Sequence, residues 1–440
     1  MNKRTPQAIL DDSPMGALQI AAVIICIVLN ALDGFDVVAI SFASPGIADE
    51  WGINRAALGV VLSMEALGMA LGSLLLGGIA DRLGRRPVIL ICLIAMTSGM
   101  LFSAMANSIM LLSGVRFITG IGIGGMLAAI NAMVAEYSNG RRRNLAVTIM
   151  AGGYPLGIIF GGSLASYLLS IYDWRSVFYL GAGFTAFMIP VVWLLMPESI
   201  SWLLHKRPVN ALTSVNSTLR RMGHETVETL PEPEAQPPKS GWRALFTSNL
   251  RATTTILTLS YFGLVMSFYF MLKWIPKIVV DLGFDPSAAG SVLVWSSVGG
   301  ACGAFSVTIL SHWVRLRTLV ISVLFAGAVA VSMFGQVGAD LGKLSLVAAL
   351  TGVCINAAIV GMYALFVHAF PTHLRAGGTG FAIGIGRGGS AAGPIIAGIL
   401  FQAGYSLGTV AMVMGSGALI AAILLLKMRD PQSVAAPQPG

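Results

Sequence analysis

Two aspartates three residues apart, Asp33 and Asp36, interrupt an apolar run that extends from about Met15 to Pro45. Residues three apart on a helix lie on neighbouring faces at short separation. Two carboxylates crowded into a partly dehydrated place repel and tend to keep one shared proton, which is the chemistry of a proton carrier; a second reading has Asp33 capping a helix break at Gly34. Three more ionisable residues, Glu65, Arg116 and Arg387, stand in equally apolar surroundings. An arginine there either pairs with an acid to hold helices together or meets a carboxylate ligand, which its planar fork suits better than lysine does. Glu65 fits an ion-pair partner and a second proton site equally. Tyr261, Phe262, Phe268, Tyr269, Phe270 and Trp274 crowd into fourteen residues, a run able to offer ring faces.

These residues need elements to hold them, and composition says which. Of 440 residues, 56% are apolar and only 10% charged, with a mean hydropathy of +0.81. A chain so poor in charge cannot dress a water-facing surface, ordinary chains being about 25% charged, so the apolar excess faces lipid. Stretches of about 20 residues, enough to cross ~30 Å of hydrocarbon, occur twelve times: 16–44, 56–79, 87–106, 108–134, 145–170, 174–196, 251–275, 286–311, 318–339, 344–367, 376–401 and 406–427. Twenty of the 27 basic residues then fall in segments on the side of the N-terminus, five on the other, and Arg116 and Arg387 within spans. The positive-inside rule puts both termini in the cytoplasm. At ~1.5 Å per helical residue, Asp33, Asp36, Glu65, Arg116 and Arg387 share one layer. Lys273, near the outer end of the seventh span, is expected to snorkel.

Other chemistries fail on context. Gly120-x-Gly122-x-x-Gly125 and Gly384-x-Gly386-x-x-Gly389 follow no strand of a βαβ unit, so small residues four apart serve helix packing instead of a dinucleotide. There is no G-x-x-x-x-G-K-[ST] loop and hence no ATPase in this chain. The net charge of +8 comes from scattered bases without the clustering that nucleic acid requires. Four separated cysteines, Cys26, Cys92, Cys302 and Cys354, set out neither a disulfide framework nor a zinc site. No cofactor or metal is expected.

The one long hydrophilic stretch, residues 197–250, reads as a cytoplasmic linker with a flexible acidic, proline-rich portion containing Glu232 and Glu234. It divides the chain into 1–196 and 251–440, six spans each. A shift of 232 carries Glu136, Arg143, Gly152, Gly157 and Gly161 onto His368, Arg375, Gly384, Gly389 and Gly393. Such repeats are usual in secondary transporters, whose substrate sits near the midplane.

At the second-to-third turn stands Gly77-Gly78-Ile79-Ala80-Asp81-Arg82-Leu83-Gly84-Arg85-Arg86. It resembles the G-x-x-x-D-[RK]-x-G-[RK]-[RK] signature of the major facilitator superfamily, and the resemblance covers essentially the whole chain. It implies an all-α membrane protein of twelve helices in two pseudo-symmetric six-helix bundles. It also implies that Asp81, Arg82 and Arg85 make cytoplasmic contacts holding one conformation; topology anchoring by charge is the plainer alternative. The corresponding turn of the second half, Ser311 to Arg317, has no acid and is expected to lack such a lock. Leu32-Asp33-Gly34-Phe35-Asp36, with Arg116 to Gly122, Glu136 to Arg143, Gly157 to Gly162 and Gly386-Arg387-Gly388-Gly389, further resembles the aromatic acid:proton symporter family. His368 and Ile200 depart from its pattern.

That resemblance implies a proton-coupled importer of benzoate- or hydroxybenzoate-like acids, a monomer in the lipid bilayer of a bacterial inner membrane. Asp33, Asp36 and Glu65 are its candidate proton sites. Arg116, Arg387, Tyr261 and Phe268, with Tyr154 and Asn356, are candidates for substrate binding, and Asp81, Arg82, Arg85, Glu136, Arg143 and Arg375 for gating. A proton-driven exporter of drugs or metabolites is the alternative, against which the two arginines argue.

Overall fold

The computed structural model describes residues 5–231, 242–247, 250–371 and 374–428. Its elements are helices: α1 (Pro6–Asp12), α2 (Ala17–Trp51), α3 (Arg55–Leu83), α4 (Arg85–Ala104), α5 (Ile109–Tyr137), α6 (Arg143–Leu168), α7 (Arg175–Leu195), α8 (Ile200–Lys206), α9 (Ala211–Arg221), α10 (Arg251–Asp281), α11 (Pro286–Leu310), α12 (Leu316–Phe334), α13 (Leu341–Ala369), α14 (Arg375–Gly386), α15 (Gly388–Gln402) and α16 (Leu407–Leu426). Among the described residues, twelve stretches are long and apolar enough to cross a bilayer, α14 and α15 together making one. With no water in hydrocarbon to satisfy backbone groups, a chain of this composition has helices as its natural solution.

Several spans outrun their sequence boundaries. The first continues through Pro45 to Trp51 because a neighbour repairs what proline breaks. Pro45 has no N–H for the Ser41 carbonyl, and the Ser44 hydroxyl donates to that carbonyl instead, at 2.8 Å. The seventh span likewise passes Pro276 to end at Asp281, which moves Lys273 about two turns inside a helix. At Gly52 the backbone turns left-handed, φ 58°, a conformation glycine adopts without strain, and Asn54 accepts the Ala57 N–H at 2.8 Å to start α3.

Small residues set how closely these helices approach. A Cβ at Gly34 would collide with the Tyr154 carbonyl, and one at Gly157 with the carbonyl of Ala31, so α2 and α6 meet backbone to backbone. Gly68, Gly72 and Gly124 do the same for α3 and α5.

Two compact units emerge, one of residues 1–39, 67–161 and 175–237, the other of residues 40–66, 162–174 and 238–440. This partition follows packing and cuts through α2, α3 and α6, whereas the repeat divides the chain by order. The last part of α2 and the first part of α3 thus share a compact unit with α10 to α16.

The linker is more structured than a flexible tether in its first part. It forms α8 and α9, and Val215 and Leu219 of α9 are buried. His224 Nε2 lies 2.8 Å from Gln19 Oε1, while Gln19 Nε2 donates to the Tyr137 carbonyl at 3.0 Å, which fastens the segment to the ends of α2 and α5. Burial lowers the His224 pKa. The acidic portion with Glu232 and Glu234 lies outside the described residues. Ahead of the first span, α1 is held by Arg143, which bonds the Asp11 carboxylate.

Replacing Gly157 by Val should cost on the order of 1–3 kcal/mol of stability, since backbone cannot yield as a side chain can. Thermal unfolding in detergent should show a clear drop in midpoint, whereas Gly183→Ala, at a position with open space around it, should show none.

Candidate functional site

In the first compact unit the layer of charges resolves into an ion pair and a lone carboxyl. Arg116 Nη1 donates to Asp36 Oδ1 at 3.0 Å and Nη2 to the Asp36 backbone carbonyl at 2.9 Å. Met100 Sδ lies 3.6 Å from Nη1, and the guanidinium sits 5.7 Å from the Phe178 ring centroid. Both charged side chains are buried. A guanidinium tolerates this place because its planar fork spends donors on two oxygens of one residue, while an aromatic face covers it. One turn earlier Asp33 is also buried, and neither of its carboxyl oxygens has a hydrogen-bond partner. The two aspartates therefore differ: Asp36 is paired to Arg116, Asp33 is not. Tyr154 is half-buried, with its backbone against Gly34.

Lys273 does not snorkel. Its Nζ is 3.2 Å from Glu65 Oε2, and neither side chain has any solvent exposure. Helix α10 runs on past it, which removes the route to the surface, and Glu65 of α3 supplies the counter-charge. Around the pair α3, α10 and α15 pack tightly. The Ser63 hydroxyl donates to the Ala391 carbonyl at 2.9 Å and Trp274 Nε1 to the Pro394 carbonyl at 3.2 Å, while Gly59 and Gly398 bring the backbones into contact.

Arg387 occupies the single-residue break between α14 and α15 and is half-buried. Ser390 Oγ donates to its carbonyl at 2.5 Å. The ring of Tyr261 packs against the adjacent Gly386, and its hydroxyl meets that of Tyr363 at 3.0 Å. The expectation that Tyr261 presents a stacking face needs correcting: it is buried under Tyr363 and Phe366, with centroids at 5.9 and 5.6 Å. Gly386, lacking a Cβ, lets it sink in. Tyr363, 40% exposed, is the open ring, which sequence reasoning does not single out; its place one helical turn before Phe366 is the available signal. Phe268 is half-buried against Tyr269. Asn356 donates to the Gly352 carbonyl at 3.2 Å and lies against Gly300.

Of the gating candidates, Arg85 meets directly a residue to which the sequence motifs give no role, Glu198. Its Oε1 accepts the backbone N–H groups of Arg85 at 2.9 Å, Arg86 at 3.3 Å and Ser199 at 2.8 Å, capping the N-terminus of α4, where a negative charge is favoured. Gly84 has φ 109° and faces this carboxylate so closely that a Cβ would collide with it, which explains the glycine in the loop signature. Burial raises the Glu198 carboxyl above its ordinary pKa, while these N–H donors and Arg85 pull the other way. Arg85 reaches Asp81 at 3.0 Å and Glu136 at 3.9 Å, and Glu136 accepts from the Ser199 hydroxyl. Asp81 and Arg82 are otherwise exposed, as is Arg375 at the start of α14. Arg143 instead binds Asp11 and the Ala135 carbonyl, the latter at 2.8 Å.

Comparison with known proteins fits this geometry. The model of the Major Facilitator Superfamily matches residues 26–342 and 274–440. A gallate transporter of Pseudomonas putida is 31% identical, with 97% of each chain covered. The 4-hydroxybenzoate transporter PcaK of Pseudomonas aeruginosa is 30% identical over 95% of each. The inward-open xylose transporter XylE of E. coli shares the fold, with a TM-score of 0.73 at 14% identity and 93% and 96% coverage. The chain belongs to the Major Facilitator Superfamily, among its aromatic acid transporters. It is a multi-pass membrane transporter and not an enzyme.

Breaking a buried ion pair from one side leaves an uncompensated charge and costs ~3–5 kcal/mol, whereas neutralising both partners can be almost without cost. Glu65→Gln and Lys273→Met should each lower the unfolding midpoint in detergent strongly, and the double variant should recover most of the loss. Additive losses in the double variant would show that the two charges do not act as a pair.

Proposed function

We propose that this chain imports aromatic carboxylates together with protons across a bacterial inner membrane, by alternating access, as a monomer with both termini cytoplasmic. The observation that carries the reading is the inequality of Asp33 and Asp36. An unpaired carboxylate at membrane depth costs several kcal/mol, and a neutral acid avoids that cost. Asp33 is thus the proton carrier, and Arg116 is paired with Asp36 beside it. The substrates named for the gallate and 4-hydroxybenzoate relatives are monoanions with a planar ring, and they supply the substrate class.

The substrate carboxylate then falls to Arg387, which is half-buried where Arg116 is closed over Asp36, with Phe268 and Tyr363 as the aromatic candidates; Tyr154 and Asn356 remain candidates for substrate binding. Glu65 serves as the partner of Lys273, holding the outer ends of α3 and α10 together in this conformation. Asp81, Arg82, Arg85, Glu136, Arg143 and Arg375 act at the cytoplasmic side, where Glu198 organises the first-half group.

Energetics require the proton. An anion entering alone works against an inside-negative potential at ~2.3 kcal/mol per charge per 100 mV, and with one proton its entry is electroneutral. Asp33→Asn fixes a neutral side chain that can bind substrate but cannot release a proton inside and return empty. In proteoliposomes with an imposed pH gradient, this variant should lose net accumulation of 4-hydroxybenzoate while keeping counterflow exchange. Undiminished gradient-driven accumulation would refute Asp33 as the carrier, and absence of any transport of aromatic acids by the wild type would refute the substrate class.

A further inference from the structure

Away from the charge layer, the second compact unit contains a cavity of about 720 Å³, within the ~300–1,000 Å³ usual for small-molecule sites. It lies at the end of α2, the start of α3, the end of α10 and the end of α15, which is the outer side in the orientation proposed above. We infer that this cavity is a second binding site for an aromatic monocarboxylate, distinct from the one at Arg387; the choice of an aromatic body rests on the substrate class just proposed.

Three features support the inference. The first is charge. Asp281 bridges two cations, with Arg55 Nη2 at 3.1 Å from Oδ2 and Lys277 Nζ on Oδ1. With Asp49, exposed at the end of α2, the two acids and two bases of the lining balance, and what favours a carboxylate is the grouping of both cations at one place, around Asp281. The second is donor geometry. The Arg55 guanidinium is held over the Phe401 ring at 5.5 Å and 44% of its side chain is exposed. Among the described residues its side chain bonds Asp281 alone. A guanidinium has five N–H donors in a fixed fork, so donors remain for a second carboxylate while Phe401 fixes the plane. The third is the rest of the lining: Pro45, Leu58 and Pro286 give an apolar wall suited to a ring and not to a hydrated inorganic anion.

Equilibrium dialysis of radiolabelled benzoate against the purified full-length protein, carried to millimolar concentration, counts the sites. Two equivalents are expected for wild type, one for Arg55→Gln, one for Arg387→Gln and none for the double variant. Acetate, with the charge but no ring, should compete poorly at the Arg55-dependent equivalent. The equivalent retained by Arg55→Gln itself reports that the variant is folded. Should it lose both, Arg55→Lys decides: it keeps the charge but not the fork, and at least about tenfold weakening at one site is expected, the cost of one charge-assisted hydrogen bond. A single Arg387-dependent equivalent in wild type, two equivalents persisting in Arg55→Gln, or unchanged binding in Arg55→Lys overturns the second site and leaves the transport reading standing. No binding of benzoate by wild type overturns both.

Discussion

Everything in this protein that could do chemistry is constrained by the cost of a charge in hydrocarbon. Even on insertion scales an ionisable side chain near mid-bilayer costs at least ~2.5 kcal/mol, so each such group here must answer for its counter-charge. Arg116 is answered by Asp36 and Lys273 by Glu65, each across two helices of one compact unit. These pairs are weak grounds for stability, because desolvation offsets much of their Coulomb attraction. Their weight is positional: a buried pair fixes which helices face each other, and it leaves any unpaired group conspicuous. Asp33 is conspicuous in that sense, buried like the others and without a hydrogen-bond partner.

Such pairing needs helices close enough for short side chains to meet, and glycine provides the closeness. Gly34 lies between Asp33 and Asp36 and brings α2 onto the backbone of α6 at Tyr154, so the residue that the sequence pattern marks as a break is a contact. Gly386 plays the matching part beside Arg387, where it seats Tyr261 and leaves Tyr363 as the exposed ring. In both places a charged residue is adjacent in sequence to the glycine that positions its surroundings, which is why short motifs carry so much of the site.

Much of this is legible in the amino-acid sequence. Twelve apolar runs, the asymmetry of basic residues and the loop signature lead to a membrane protein of the right fold, and the layer of buried charges contains three of the four residues that pair, Asp36, Arg116 and Glu65. What escapes depends on partners distant in sequence. Lys273 reads as a surface lysine as long as its span is taken to end at residue 275, and only the continuation to Asp281 buries it. Glu198 reads as part of a loop because its three backbone donors come from Arg85, Arg86 and Ser199, two of them more than a hundred residues away. Tyr261 and Tyr363 cannot be ranked by residue type, since the difference between a covered and an open ring lies in Gly386.

Partners distant in sequence also explain why the two halves, though repeated in sequence, are not chemically equivalent. In the first half, the turn before α4 carries Asp81 and Arg85, and Glu198 caps the helix from beyond α7. At the corresponding turn of the second half, Arg317 donates to the carbonyls of Leu425 and Leu426, at 2.9 Å each through Nη2. A cation is at home there, since the last carbonyls of α16 carry the negative end of the helix dipole. The repeat partners diverge in the same direction. Arg143 is bound to Asp11 and the Ala135 carbonyl, while Arg375 is exposed; Glu136 is held by Arg85 and Ser199, while His368 is exposed and contacts its own helix at Ala364. Among the described residues, the contacts linking Asp81, Arg85, Glu136 and Glu198 lie in the first half.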